Sequence, residues 1–232
     1  MGFMLLGLLS GLDGKTNQGD YDGYLLAYSS SGFLQWTAQI ASSKTDFLSG
    51  LAIDADDTLW LSGYTFGTLP GQVSQGRTDG FVARFAPSGQ RLWLKQLGTP
   101  EIDKLSGLSV TPQGIATVAG STEGSYGMGK NAGLSDVWVV RLGPDGTELS
   151  SLQLGSDQAD FANAVAIDSN QASYVVGATG GVLPTGSALG LQDAFALSLG
   201  ADGKLGWVRH AGSSGTDELV TATADGSGGI WA

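Results

Sequence analysis

Large apolar side chains alternate with other side chains in short stretches that recur along this chain. In the best-defined stretch, Phe81, Ala83 and Phe85 form one series, and Val82 and Arg84 form the other. Because side chains on a β-strand point to its two faces in turn, this period of two predicts a strand with unequal faces. Equivalent series begin at Tyr24, Trp138 and Phe195. No stretch keeps a helical period, so the pattern predicts an all-β fold.

These strands belong to a repeat of about 57 residues, a period that is typical of solenoids, propellers and repeat arrays. Several independent positions keep that spacing. The positions are Asp22, Asp79, Asp136 and Asp193; Gly32, Gly89, Gly146 and Gly203; Asp46, Asp103, Asp160 and Asp217; Gly63, Gly120 and Gly177; and Trp36, Trp93 and Trp207, with Ser150 in the third copy.

Each period contains four segments that fit strands. Gly89 and its equivalents predict tight hairpin turns, since glycine readily adopts a positive φ. The recurring tryptophan predicts packing between adjacent sheets. For the best-defined copy we predict strands at 48–54, 58–64, 79–85 and 91–97, of which the first is rich in small residues that suit a crowded axis. Four strands per repeat without a helix favour a β-propeller of four-stranded antiparallel blades.

The chain is interpreted as one domain, 1–232, with about four blades whose registers start at Asp22, Asp79, Asp136 and Asp193. It begins at a second blade strand and ends inside another. Two arrangements fit: a closed four-bladed ring, or a piece of a larger propeller. The second is favoured, because a strand cut short leaves an unpaired edge.

Composition narrows the partners. With 22 acidic and 11 basic residues the net charge is −11, which disfavours nucleic acid because phosphates must be neutralised by Lys and Arg. There are no cysteines, so disulfides and thiolate metal sites are excluded. No segment approaches the about 20 apolar residues of a membrane span. The apolar start of the chain has no basic region or clear cleavage site, and it fits the repeat as a strand.

The repeat resembles the bacterial SBBP repeats, a family of seven-bladed β-propeller repeats. The resemblance is carried by DGFVARFAPSGQRLWLKQLG at 79–98 and SGLAIDADDTLWLSGYT at 49–65. The family pattern likewise has an Asp, an aromatic-rich strand, a Gly turn, a Trp and two further strands. The repeats of this chain depart from the family pattern at two positions. Ser150 stands in place of Trp, and Thr111 stands in place of the Asp seen at 54, 168 and 225. The resemblance implies a propeller in a bacterial exported or cell-surface protein, and it carries no catalytic residues.

Two motifs suggest chemistry but fit structural roles better. The stretch 124–130 resembles a phosphate-binding loop, yet Asn131 follows where Ser or Thr is needed and no helix is predicted after it. The single histidine, His210, is interpreted as a strand or surface residue, because no nucleophile elbow accompanies it.

The candidate ligand-binding residues lie before the inner strands, near one mouth of a central channel. Carboxylates there either cap turns through backbone N–H groups or offer oxygen ligands to a hard cation such as Ca²⁺. Long loops at 65–78, 121–135 and 178–192 are expected on the same face. The candidates are Asp46, Asp103, Asp160 and Asp217, which are also the possible metal ligands, together with Tyr64 and Tyr126.

The sequence favours a non-enzymatic binding or scaffold module with a protein or glycan ligand. It predicts no catalytic residues and no cofactor, and Ca²⁺ is the one ion for which it offers candidate ligands. The alternative is a carbohydrate-binding or hydrolase/lyase-type propeller that uses the channel mouth, with or without Ca²⁺. Fold alone does not decide between them.

Overall fold

The computed structural model describes residues 2–8, 10–225 and 227–232, and in these residues the chain is all-β. The strands follow one another as antiparallel neighbours within each sheet. The predicted strand at the start of the chain is confirmed over Gly2–Leu8, while Met1 and Leu9 of that stretch lie outside the described residues. No helix in the described part is long and apolar enough to cross a bilayer.

Three complete four-stranded sheets stand between two shorter ones. The first sheet consists of β1 (Gly2–Leu8), β2 (Asp22–Tyr28) and β3 (Leu34–Ile40). The second consists of β4 (Asp46–Ile53), β5 (Leu59–Thr65), β6 (Asp79–Phe85) and β7 (Arg91–Leu97). The third consists of β8 (Asp103–Val110), β9 (Ala116–Thr122), β10 (Asp136–Leu142) and β11 (Glu148–Leu154). The fourth consists of β12 (Asp160–Ile167), β13 (Ser173–Thr179), β14 (Asp193–Leu199) and β15 (Leu205–Ala211), and the last of β16 (Thr223–Ala224) and β17 (Ile230–Trp231).

The predicted strands agree with these sheets. The segments 79–85 and 91–97 are confirmed to the residue, and the other two are shifted by one or two positions. The inner strand begins earlier than predicted because the Asp46 position already pairs with Thr65. Among the described strands β17 does not pair with β1, and the sheets are not closed into a ring.

The hairpin turns follow the predicted glycine chemistry. Gly32, Gly89, Gly146 and Gly203 all have φ between 79° and 84°. In the second copy Gly89 N donates to Ala86 O, and Ala86 N to Gln90 O. Each of these turns sits beside a bulge, where β6 and its equivalents shift register by one residue. The turns therefore set the register of the two outer strands in every sheet.

Apolar side chains from consecutive sheets fill the space between them. One cluster joins Trp60 of the second sheet to Leu105 and Trp138 of the third. A second joins Val139 of the third sheet to Val175 and Phe195 of the fourth. The middle strands β5, β6, β10 and β13 are buried along almost their whole length. The core is thus a series of layers between neighbouring sheets.

Candidate functional site

The inner strands of neighbouring sheets meet along one groove. The segments 49–51, 106–108, 163–165 and 220–222, which are equivalent in the four copies, line an open space of about 350 Å³. Close approach requires the small residues that the sequence places there: a Cβ on Gly50 would lie 2.8 Å from Leu108 Cβ, and one on Gly107 would lie 2.9 Å from Ala164 Cα. The prediction of small side chains at a crowded inner edge is confirmed.

The predicted carboxylates Asp46, Asp103 and Asp160 are the first residues of three inner strands and are fully buried. Each accepts a hydrogen bond from the backbone N–H four residues earlier, 2.6 Å away in every case. In the third and fourth sheets, hydroxyls of Thr99 and Ser156 donate to the same carboxylates. These side chains therefore fix the turn that enters each inner strand.

Asp217 holds the same place in the fourth copy but is only half-buried. It accepts from Ser213 N at 2.8 Å and from Ser213 Oγ at 3.0 Å. The repeating carboxylates come together in pairs: space beside Gly98 is bordered by Asp79 and Asp103, and space beside Gly212 by Asp193 and Asp217. Within the described residues no three acidic or histidine side chains are grouped as a metal site would need. Calcium ligation stays a prediction.

Burial shifts the titration of these buried carboxylates. It raises the pKa of Asp46, Asp103 and Asp160 above the ordinary value, against hydrogen bonds that lower it. The neighbouring carboxylate in each pair, such as Asp79 beside Asp103, raises it further. Ionised carboxylates in this setting depend on their N–H and O–H donors.

The two predicted tyrosines lie in different sheets and have different surroundings. Tyr126 packs against Trp138, with ring centres 4.9 Å apart, and donates to Glu148 Oε2 at 2.8 Å. Its backbone N–H donates to Gln153 Oε1 at 2.9 Å. Burial, followed by the hydrogen bond and charge of Glu148, raises the pKa of Tyr126 well above its ordinary value. This side chain anchors the loop 123–135 to its own sheet.

Tyr64, in contrast, belongs to a group of aromatic side chains at the surface, which we call the aromatic cluster: Tyr21, Phe47, Tyr64 and Phe66. Phe47 is central, since its ring centre lies 5.0 Å from that of Tyr64, 6.2 Å from that of Tyr21 and 6.5 Å from that of Phe66. Tyr21, Phe47 and Phe66 are 39%, 37% and 45% exposed. Lys104 Nζ stands 5.4 Å above the centre of the Tyr64 ring, a cation–π contact.

The aromatic cluster departs from the repeat. The position of Tyr21 is filled by Thr78, Ser135 and Gln192 in the other copies. The position of Tyr64 is filled by Ser121 and Ala178, and that of Phe66 by Glu123 and Gly180. Exposed rings gathered in one place form an apolar surface patch, which is typical of an interaction site. Phe47 recurs as Phe161 in the fourth sheet, while Lys104 and Glu218 fill the other equivalent positions. Sequence reasoning selected Tyr64 but missed the other three, although the departure of Tyr21 and Phe66 from the repeat was a visible signal.

The aromatic cluster shares its edge of the sheets with the carboxylates and the long loops. Asp46 pairs with Thr65, and Thr65 pairs with Asp79, at one end of the second sheet. The loop that joins Thr65 to Asp79 therefore starts and finishes at this edge of the sheet. The predicted grouping of long loops and inner-strand carboxylates on one face is confirmed, and we call it the loop face.

His210 lies in a strand, as predicted, but its side chain is only 3% exposed. It occupies the register of Gln39, Gln96 and Gln153. Each of these glutamines donates to the carboxylate that opens the middle strand: Gln96 Nε2 reaches Asp79 Oδ2 at 2.6 Å, for example. His210 Nδ1 stands 3.9 Å from Asp193 Oδ2. Neither imidazole nitrogen has a hydrogen-bond partner among the described residues.

Comparisons with known proteins give limited similarity. No protein-family profile matches the chain. Over 114 residues it is 28% identical to the "Regulatory protein FlaEY" of Caulobacter vibrioides, a match that covers 46% of this chain and 12% of that protein. The chain thus spans about an eighth of the length of that curated relative. A crystal structure of a protein of unknown function from Bacteroides caccae superposes with a TM-score of 0.45 at 10% identity, over 95% of this chain and 60% of the other.

Proposed function

We propose that this chain is a non-enzymatic binding or scaffold module of an exported or cell-surface bacterial protein, built as a β-propeller or as part of one. The propeller is supported by successive four-stranded antiparallel sheets whose inner strands line one groove at a constant step along the chain. Membership of the SBBP repeat family, and with it the exported location, rests on the residues of the repeat.

The observation that carries the binding role is the exposed aromatic cluster on the loop face. Tyr and Phe are enriched at the centres of protein interfaces, because a rigid ring buries much area at a small cost in entropy. The cluster has three side chains that are each more than a third exposed, and it occurs at one copy. A ligand that covered Phe47 and Phe66 would bury apolar area that the free chain leaves in water.

The structural use of the repeated carboxylates supports a binding role over catalysis. Asp103 Oδ2, for example, accepts from Thr99 N at 2.6 Å and from Thr99 Oγ1 at 2.9 Å, and Oδ1 lies 3.2 Å from the same hydroxyl. A general acid or base must instead reach the reacting group. A glycan is the second class of ligand to test, because planar exposed rings and the nearby Lys104 offer apolar and polar contacts side by side.

The proposal is tested by parallel screens of a glycan array and a displayed peptide library. The wild-type chain is compared with the double variant Phe47→Ala/Phe66→Ala and with Phe33→Ala, since Phe33 is 71% exposed but lies outside the aromatic cluster. We expect ligands whose affinity falls at least about tenfold in the double variant and is kept in Phe33→Ala.

Ligands that bind all three proteins equally would place the binding surface elsewhere. A turnover of any bound glycan, abolished by one substitution in the groove, would favour the alternative hydrolase or lyase. Screens in which neither class of ligand binds would overturn the binding role of the aromatic cluster.

A further inference from the structure

The glutamine that His210 replaces joins a loop to a strand-opening carboxylate in each earlier copy, and Gln96 shows the full set of bonds. Gln96 Nε2 donates to Asp79 Oδ2 at 2.6 Å and to Gly67 O at 2.9 Å, and its Oε1 accepts from Leu69 N at 3.0 Å. The side-chain amide thus holds the start of the loop 66–78 against the carboxylate at its end. Because all three bonds are buried or nearly so, they are among the stronger restraints on that loop.

The third copy repeats this arrangement with the same atoms. Gln153 Nε2 donates to Asp136 Oδ2 and to Gly124 O, both at 2.8 Å, and Oε1 accepts from Tyr126 N at 2.9 Å. In the first copy Gln39 Nε2 also donates twice, to Asp22 Oδ2 at 2.6 Å and to Thr16 O at 2.9 Å. Two donors at this position, one for the carboxylate and one for a loop carbonyl, are the common requirement.

A neutral imidazole cannot meet that requirement, because it has one N–H, whereas the imidazolium ion has two. Around His210 one such partner is close but is not bonded to the ring. Asp193 Oδ2, which accepts from Leu189 N at 2.8 Å, stands 3.9 Å from His210 Nδ1. Gly186 of the loop 180–192 lies directly against the ring, since a Cβ there would clash with Nε2.

The same loop contains a strained residue. Thr185 has φ of 67°, a conformation that disfavours a β-branched side chain. In the second copy its place is taken by Gly71, at φ of 79°. The loop 180–192 therefore lacks the glutamine bonds that hold its equivalents and includes a turn of higher energy, while Thr185 Oγ1 donates to Val208 O at 3.3 Å.

We propose that His210 is a proton-operated latch for the loop 180–192. Protonation supplies the second N–H, so that the ring donates to Asp193 and to a backbone carbonyl of the loop, as Gln96 and Gln153 do in their copies. Loss of the proton releases the loop. Imidazole is the side chain whose charge changes between about pH 5 and pH 8, so the loop 180–192 would be held more tightly in acid than near neutrality.

Two carboxylates lie near the ring. Asp193, only 2% exposed, faces the ring from β14. Asp217, from the segment after β15, borders the same space beside Gly212. The loop presents Gly186, and β14 also presents Phe195 opposite His210. Arg209, the nearest cation along the strand, is turned away over the Trp207 ring at 5.9 Å.

Hydrogen exchange of backbone amides, measured at about pH 5 and about pH 8 and corrected for the intrinsic effect of pH, tests the latch. We expect protection of 180–192 to rise about tenfold in acid, as gaining a charged hydrogen bond implies, while 66–78 and 123–135 serve as internal controls and change little. His210→Gln should protect 180–192 at both pH values, because it restores the amide of the other copies.

Equal pH dependence in His210→Gln, no pH dependence in wild type, or lower protection of 180–192 in acid would each overturn the proposal. His210 is the single histidine of the chain, so a tag-free sample gives one imidazole titration by NMR. That titration should coincide with shifts of the Leu189 amide, which donates to Asp193 Oδ2 at 2.8 Å. Thr185→Gly relieves the positive φ but removes the bond from Thr185 Oγ1 to Val208 O, and it should leave the pH dependence in place.

Discussion

The indole Nε1 of Trp93 donates a hydrogen bond to the carbonyl oxygen of Pro144, 2.9 Å away in the next sheet. Trp36 makes the same bond one repeat earlier, to Pro87 O at 3.0 Å. Each ring also covers the hairpin glycine of the next sheet: a Cβ on Gly146 would lie 3.3 Å from the Trp93 ring. The predicted packing of this tryptophan between adjacent sheets is confirmed, and the bond fixes one hairpin on its neighbour.

The third copy keeps the link without the tryptophan. Ser150 stands in its place, and Arg141 Nη1 donates to Ala201 O, the carbonyl equivalent to that of Pro144. Arg84, the equivalent of Arg141, reaches Pro144 O at 2.9 Å alongside Trp93. The arginine therefore allows serine at position 150, because the acceptor keeps one donor.

Removal of the indole N–H should weaken this joint between sheets. We expect Trp93→Phe to lower the free energy of unfolding by about 1 kcal/mol, the usual net value of a hydrogen bond, and Trp93→Ala to lower it by about 3 kcal/mol. Denaturant unfolding followed by circular dichroism measures both. Leu92→Ala, at a neighbouring side chain that is 47% exposed, should change stability much less. Equal losses at positions 92 and 93 would contradict the role of the indole.

Acid should remove the contribution that ionised Asp54 makes to the free energy of unfolding. Burial acts to raise the pKa of Asp54, but hydrogen bonds from Thr58, Trp60 and Arg84 outweigh it and lower the pKa to about 2; Arg84 Nη2 is 2.7 Å away. Since the folded value is depressed, the stabilisation is present above the unfolded value of about 3.9 and is lost as pH falls through about 2.

We expect wild type to lose about 2 kcal/mol more than Asp54→Asn between about pH 4 and pH 2, in urea unfolding at a series of pH values. Asp56→Asn changes an exposed carboxylate of the same turn and should follow wild type. If Asp54→Asn lost as much free energy of unfolding in acid as wild type does, the ion pair of Asp54 with Arg84 would not be the source of the acid-sensitive stability.

The contribution of Asp103 to stability should depend on pH in the opposite direction to that of Asp54. Because burial raises its folded pKa, protonation favours the folded state, and this contribution grows as pH falls from neutrality through the raised value. Asp103→Ala leaves the buried Thr99 N–H without its acceptor and should cost about 2 kcal/mol near neutral pH. Asp103→Asn keeps an acceptor oxygen and should cost clearly less, in the same urea assay. Glu101→Ala, at an exposed acid, is the control, and equal costs for Ala and Asn would contradict the capping role.

Calcium provides a separate test of the four carboxylates Asp46, Asp103, Asp160 and Asp217. Because one oxygen of each carboxylate already accepts a backbone N–H group, we expect millimolar Ca²⁺ to leave the thermal midpoint unchanged. A midpoint that rises with Ca²⁺, and no longer rises in Asp217→Asn, would instead support the calcium hypothesis, since a ligand of the native state stabilises it by mass action.

Close approach of the inner strands should make Gly107 intolerant of a side chain. A Cβ there would stand 2.9 Å from the backbone of Ala164 and Val165, so Gly107→Ala should cost about 2 kcal/mol through overpacking. Gly7→Ala is the matched control, because a Cβ on Gly7 meets nothing within 4 Å. Thermal unfolding should separate the two variants, and equal midpoints would show that the inner strands can move apart.

The repeat made most of the fold predictable. Four copies average out local noise, so that strands such as Asp79–Phe85 could be placed to the residue and the turn at Gly89 identified from its chemistry. The start of the inner strand was less predictable, because Asp46 both pairs in the strand and caps the turn before it. Whether consecutive sheets close into a ring depends on contacts between distant repeats, which a local pattern does not contain.

The candidate site was predicted less well for the same reason. Aligning the copies draws attention to what they share, and the shared carboxylates serve the fold. The aromatic cluster and His210 are departures from the repeat, and their meaning depends on which side chains meet in space. Phe47, for instance, gains its neighbours Tyr21 and Phe66 from two different loops, and the burial of His210 depends on how the loop 180–192 folds over it.

The bond from Trp93 to the hairpin of the following sheet, like its counterparts at Trp36 and Arg141, ties each sheet to the one after it. Stability in such a chain is a sum of terms for single units and for nearest-neighbour joints. A damaged joint therefore lowers the coupling between the two sheets that it connects. Since the acceptor at each of these joints is an equivalent hairpin carbonyl, one whole repeat can be gained or lost by recombination while the remaining joints stay intact, which gives this architecture a simple route to change its length.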